Sequence, residues 1–202
     1  ELLKVLSKYQ LNGNIESVTF NVHDNELKCE FITDDKSLFG KVNAKGIPLQ
    51  DGDYSLYSTS KVTSVLSVLS DELSITPVIM NGQVKLLNLK DDKNIKASLG
   101  LADPAVIPQP PKKFNKPAYE TEFTFDSDNI QTFSKAFGAL QSPSTFALIE
   151  KNGEVFISLN YNKSIQTDTI DIPISVLKKD VENPIHFSAS YFKDILNSNK
   201  DA

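Results

Sequence analysis

Apolar residues recur along this chain at two spacings, and the two spacings alternate. Four sets sit at i, i+3 and i+4: Leu2, Val5, Leu6 and Tyr9; Val62, Val65, Leu66 and Leu69; Ile130, Phe133 and Phe137; Phe192, Ile195 and Leu196. Each set is one face of an amphipathic helix. Ser58-Thr59-Ser60, Asp126-Ser127-Asp128 and Ser188-Ala189-Ser190 stand before the last three as helix start signals. A strand-like segment precedes each of these, around Leu56, Phe125 and Phe187. The strand preceding the first helix would lie before residue 1. A unit repeated at this scale says more about function than any single residue.

Between the helices the pattern predicts strands. Ser17 to Val22 and Glu26 to Thr33 flank a hairpin turn at His23-Asp24-Asn25. Strands are expected at Leu38 to Val42 and Tyr54 to Tyr57, with Gly46 and Pro48 breaking the chain between them. Three more follow the helix near 60–70: Leu73 to Ile79, Val84 to Leu89 and Ile95 to Leu99, with turns at Asn81-Gly82 and Asp91-Asp92. Residues 103–118 hold five of the ten prolines, which favours extended backbone and marks a connector. The order then recurs: strand Tyr119 to Phe125, helix 129–141, strands Phe146 to Glu150 and Val155 to Tyr161 about the Asn152-Gly153 turn. A weakly alternating run Ile165 to Ile174 and strand Ile185 to Phe187 lead to the last helix. The expected organisation is α+β: one domain at 1–102, a connector at 103–118 and a second domain at 119–202. The second domain is expected to be incomplete at its C-terminus, because three strands follow the helix near 60–70 and none follows the last helix.

The 202 residues are 40% hydrophobic and carry a net charge of −5. No run approaches the roughly 18 apolar residues needed to cross a bilayer. No basic and apolar leader precedes the first helix, so the expected location is the cytoplasm. Cys29, in an alternating segment, reads as a buried small side chain, and one cysteine forms no internal disulfide. All 21 basic residues are Lys. Lys is a point charge toward phosphate rather than a bidentate reader of bases, so sequence-specific base recognition is not expected. Charge is unevenly placed. The windows 2–10, 60–70, 129–141 and 189–200 hold Lys4, Lys8, Lys61, Lys135, Lys193 and Lys200 against Asp194, a net of +5, and the rest of the chain carries −10. Such helices suit a phosphate backbone, where contacts position without specifying; Lys is also simply a good exposed helix former.

Candidate catalytic chemistry is sparse. His23 and His186 have no neighbour at metal-ligand spacing, no cysteine pair exists, and no phosphate-binding glycine loop or nucleophile elbow is present. The pairs Asp34-Asp35, Asp51/Asp53 and Asp91-Asp92 fall in expected turns, where Asp is common. No enzyme activity, cofactor or metal site is expected.

Five stretches carry a family resemblance: LLKVLSKY at 2–9, DYSLYSTSKVTSVLSVLSDELSI at 53–75, LADPAVIPQPPKKFNKP at 101–117, TEFTFDSDNIQTFSKAFGAL at 121–140 and IEKNGEVFISLNYNK at 149–163. Their order and spacing resemble the DNA sliding clamps, the polymerase processivity factors, and within them the clamps of T-even-type bacteriophages. The resemblance implies the DNA clamp fold: two similar domains, each with two helices on one face of antiparallel sheets. It implies a homotrimeric ring around double-stranded DNA, an ATP-dependent clamp loader and a tethered replicative DNA polymerase. It places Lys4, Lys8, Lys61, Lys135, Lys193 and Lys200 on the DNA-facing wall. Lys112, Lys113 and Lys116 fall on the connector, and Ala105, Val106 and Ile107 become candidates for partner binding. The alternative is a phage structural protein of the tail or capsid, for which no repeat between the two halves is expected.

Overall fold

The computed structural model describes residues 1–111, 119, 121–163, 167–178, 181 and 183–199. The chain divides into two compact units, Glu1–Lys112 and Lys113–Ala202.

Unit 1 runs α1 (Leu2–Gln10), β1 (Val18–His23), β2 (Glu26–Ile32), β3 (Phe39–Lys45), β4 (Gly52–Leu56), α2 (Thr59–Leu66), β5 (Leu73–Met80), β6 (Gln83–Asp91) and β7 (Lys96–Gly100). Two antiparallel sheets result, ordered β3-β2-β1-β4 and β5-β6-β7. Alternation in β1 and β2 puts Val18, Phe20, Val22, Leu27, Cys29 and Phe31 on one buried face. Val5, Leu6 and Tyr9 of α1 and Val62 and Leu66 of α2 are buried as well. Tyr9 meets Phe20 edge-on at 5.7 Å and Phe31 at 6.0 Å between ring centroids. Gly40 stands opposite Phe31 in the β2–β3 ladder. A Cβ there would come within 2.7 Å of the Phe31 ring, so glycine leaves room for that ring beside Tyr9.

Unit 2 runs β8 (Glu122–Phe123), α3 (Ser127–Ala139), β9 (Thr145–Lys151), β10 (Glu154–Leu159), β11 (Ile170–Ile174), β12 (Val176–Lys178), β13 (Ile185–Ser188) and α4 (Ala189–Ser198). Its main sheet is ordered β11-β10-β9-β13, the order of the first sheet in unit 1, and β12 pairs with β8. The core is Phe133, Phe137, Phe146, Leu148, Val155, Ile157, Leu159, Ile172 and Leu196, with Phe125 and Phe192 packed against it.

The two units repeat position by position. The β1–β2 hairpin pairs His23 with Glu26, and the β9–β10 hairpin pairs Lys151 with Glu154. Val5 and Tyr9 of α1 correspond to Phe133 and Phe137 of α3. Thr59, Val62 and Leu66 of α2 correspond to Ala189, Phe192 and Leu196 of α4. Ser58 and Ser188 cap α2 and α4 through the amides of Lys61 and Tyr191. The first amide of each helix then bonds to the chain just before the sheet's inner strand: Thr59 N to Glu16 O at 2.8 Å, and Ala189 N to Ser144 O at 3.1 Å.

One difference is chemical. The Tyr9 hydroxyl bonds the Thr59 hydroxyl at 2.8 Å in the interior of unit 1, and Thr59 Oγ1 donates a hydrogen bond to Glu16 O at 3.0 Å. Burial pushes the Tyr9 pKa far up, so the phenol stays protonated. Unit 2 has Phe137 and Ala189 at these places, and its helices meet through aromatic rings, Phe133 against Phe192 at 5.1 Å. A second difference lies at the strand before the second helix. Tyr54 and Leu56 of β4 are 1% and 3% exposed, whereas Ile185 and Phe187 of β13 are 42% and 43% exposed. In unit 1, β6 lies against β4, and Ala102 N donates to Ser55 O at 2.8 Å.

Several boundaries differ from the sequence expectation. α2 ends at Leu66 rather than near residue 70, closing on Ser67. β8 is only two residues long where a strand was expected over 119–125. The short β12 was not expected. Within the connector, Pro104–Val106 forms one 3-10 turn instead of extended backbone. Proline suits the first helical position, and Asp103 accepts from the Ala105 amide. Lys112, Lys113 and Lys116 lie outside the described residues.

Removing the Tyr9 hydroxyl tests the buried bond. Tyr9→Phe is expected to cost about 0.5–1.5 kcal/mol in urea unfolding, and Phe133→Ala about 3–5 kcal/mol.

Candidate nucleic-acid interface

In both units the helices bury one face toward the sheet and expose a polar one. The exposed polar side chains include Lys4 and Ser7 of α1, Ser60, Lys61, Ser64 and Ser67 beside or within α2, Asp128, Gln131, Thr132 and Lys135 of α3, and Ser190 and Asn197 of α4; the apolar Leu3 of α1 is exposed beside them. Of the six lysines singled out by sequence, Lys4, Lys61 and Lys135 are exposed, and Lys8 and Lys193 are half-buried. Lys200 lies outside the described residues. Lys4 sits 3.4 Å from Glu1, both side chains well exposed; such a pair contributes little. Lys193 Nζ lies 4.5 Å from the centroid of the Phe137 ring, a cation–π contact that ties α4 to α3.

The structure revises the charge count. α3 begins at Ser127, with Asp126 as its cap, so Asp128 lies inside the helix and not before it. Within the four helices Lys4, Lys8, Lys61, Lys135 and Lys193 stand against Asp128 and Asp194, a net of +3; Asp128 accounts for one unit of the change from +5, and Lys200, outside the described residues, for the other. Among the described residues α1 and α2 contain three lysines and no acid, while in α3 and α4 the charges cancel.

Glu16, which sequence reasoning passed over, organises the end of the unit 1 helix pair. Its carboxylate accepts from the Ser60 amide at 3.0 Å, from Ser58 Oγ at 3.1 Å, from Ser60 Oγ, and from Gln10 Nε2 at 3.4 Å. Burial alone pushes its pKa up, but these hydrogen bonds outweigh it and hold the group below the ordinary carboxylate value. A carboxylate at the start of α2 also matches the helix dipole. No local sequence signal points to it, because Glu16 and Ser60 are distant in the chain.

His23, Asp24 and Asp51 also come together, although no metal-ligand spacing is present in the sequence. His23 Nε2 lies 3.3 Å from Asp24 Oδ2 and Nδ1 lies 3.2 Å from Asp51 Oδ2. All three are exposed, and the two ring nitrogens turn to separate carboxylates, which is an ion-pair arrangement across a hairpin end. Cys29 is buried, and its thiol is pushed up to about 12 by that burial; it packs as a small apolar group. Of the connector candidates, Ala105 and Val106 are exposed and Ile107 is buried at 4%. A cavity of about 320 Å³ lies beside them, lined by Asp51, Gly52, Ile79, Val84, Ala102 and Pro104 among others. Among the described residues no helix is long and apolar enough to cross a membrane.

The fold has known counterparts. PCNA from Thermococcus kodakaraensis matches 100% of this chain and 82% of its own, with a TM-score of 0.63 and 12% identity. A structure of A. fulgidus PCNA with the C-terminal region of FEN-1 bound matches 98% of this chain and 79% of its own, with a TM-score of 0.67 and 11% identity. The fold is therefore the PCNA-like clamp fold. No protein-family model and no curated protein matches the sequence.

The lowered pKa of Glu16 has a direction in pH. Its hydrogen bonds stabilise the fold above the unfolded carboxylate value, about 4.3, and that contribution disappears as pH falls through the lower folded value. Glu16→Gln is therefore expected to destabilise at pH 7 and to converge on the parent only as pH falls through that lowered folded value, as measured by urea unfolding across the acid range.

Proposed function

We propose that this protein is a sliding clamp: a ring that encircles double-stranded DNA and tethers a replicative polymerase, with no catalytic activity of its own. The observation that carries this reading is the repeat. Two units share one strand order and one helix pair, in a chain that matches PCNA along nearly its whole length. Such a repeat supports a clamp over a tail or capsid protein, which gives no reason for it.

Three copies would bring six units and twelve helices to the ring, with residues 103–118 joining the two domains of each copy. The sequence resemblance implies an ATP-dependent loader, and a closed ring must in any case open to encircle circular DNA. The sequence resemblance points to a bacteriophage clamp. Lysines on the helices supply sequence-independent contacts that weaken with salt. Weak contacts suffice, since dissociation from a ring requires opening it. A net charge of −5 is compatible with this arrangement, because the acids lie mainly outside the helices. Ala105 and Val106, exposed beside the connector, are proposed to border the partner-peptide groove; Ile107 packs inward.

Sedimentation of the full-length protein is expected to give a trimer. After loading by its cognate loader, that trimer should remain on nicked circular plasmid through gel filtration and slide off once the plasmid is linearised. A stable monomer that leaves circular and linear DNA at the same rate overturns the proposal.

A further inference from the structure

We infer that the grip on the DNA backbone is one-sided within each chain: the helices of unit 1 make the phosphate contacts, and those of unit 2 provide a nearly neutral surface. This inference rests on the clamp reading and sharpens it.

The two halves repeat in backbone but not in charge. α1 and α2 carry Lys4, Lys8 and Lys61 with no acid in either helix. Two acids stand at their margins. Glu1 pairs with Lys4 across 3.4 Å of exposed surface, and Glu16 is engaged by Ser58, Ser60 and Gln10. Lys4 and Lys8, four residues apart, lie on one stripe of α1, where like charges disfavour the isolated helix. Lys61 lies in the first turn of α2, the end of the helix dipole that disfavours a cation. Lys8, by contrast, sits in the last turn of α1, where the dipole favours a cation; together the three lysines put the positive charge of the helix pair on unit 1.

Unit 2 does the reverse. Asp128 and Lys135 lie seven residues apart in α3, hence on one stripe and about 10 Å apart along the axis, a separation at which exposed charges feel each other only in dilute salt. Asp126 adds a further acid at the same helix start. In α4, Lys193 is followed by Asp194, and its ammonium rests on the Phe137 ring. To reach a phosphate it must leave that ring. With margins included, unit 1 presents Lys4, Lys8 and Lys61 against Glu1 and Glu16. Unit 2 presents Lys135 and Lys193 against Asp126, Asp128 and Asp194, with Lys200 beyond the described residues. The positive excess of the described helices lies in unit 1.

Matched double variants test this, with one lysine neutralised per helix: K4Q/K61Q for unit 1 and K135Q/K193Q for unit 2. Binding of the intact protein to a fluorescent duplex of roughly two helical turns is measured as a function of salt, with melting temperature as the control for folding. Each lost phosphate contact lowers the slope of log K against log salt by about 0.9. K4Q/K61Q is expected to lower it by nearly 2 and to weaken binding at low salt about tenfold or more. K135Q/K193Q is expected to change the slope by less than 1 and affinity less than threefold. Equal losses in the two variants, or a larger loss in K135Q/K193Q, overturn the one-sided grip while leaving the clamp reading in place. Failure of the unaltered protein to bind the duplex even at low salt overturns the DNA-facing assignment itself, and this inference with it.

Discussion

The four-stranded sheet of each unit has one apolar face, and two short helices lie over it. That constraint organises both units. Isolated helices of 8 to 13 residues are marginal in water, so they persist because their apolar stripes close the sheet. Burying the stripe also decides what remains outside. With Val5, Leu6 and Tyr9 or Phe133, Ala136 and Phe137 turned inward, the polar residues form a second surface on the other side. A surface of Lys, Ser, Thr and Asn is thus a by-product of core formation. The bond from the first amide of α2 or α4 to the chain entering β1 or β9 ties that surface to the sheet.

The helices and hairpins were legible in the sequence because their signals are local. The i, i+3, i+4 sets located all four helices, and Asn152-Gly153 located the tip of the β9–β10 hairpin. Short pieces were less legible. β8 was expected within 119–125 but not its brevity, and β12, its pairing partner, is too short to show a period. The charge pattern was half legible. α3 starts two residues before the expected window, which brings Asp128 inside the helix and lowers its net charge by one. Contacts that join distant residues, such as Glu16 to Ser60 or Lys193 to Phe137, had no sequence signature at all.

The match to PCNA at 11–12% identity shows how little residue identity this architecture needs. What must survive is a period: two on the sheet, 3.6 on the helices, with a capping residue at the junction. The two units of this chain make the same point internally. Cys29 and Ile157 occupy the same position in the repeated hairpin, as do Tyr9 and Phe137 in the helices. Volume and polarity differ at each pair while the strand order stays the same.

The hydroxyl pair of Tyr9 and Thr59 gives the two halves different tolerance to change. A hydrogen bond between two interior groups has a narrow range of acceptable angles and distances, so drift of α1 or α2 in unit 1 breaks it abruptly. The phenylalanine layer of unit 2 is held instead by edge-to-face rings, a geometry aromatic pairs prefer without a donor and an acceptor to match. Truncating a ring there removes far more buried surface than deleting the Tyr9 hydroxyl, so the aromatic half is the less forgiving of small side chains, while the hydroxyl pair of unit 1 ties α1 directly to α2.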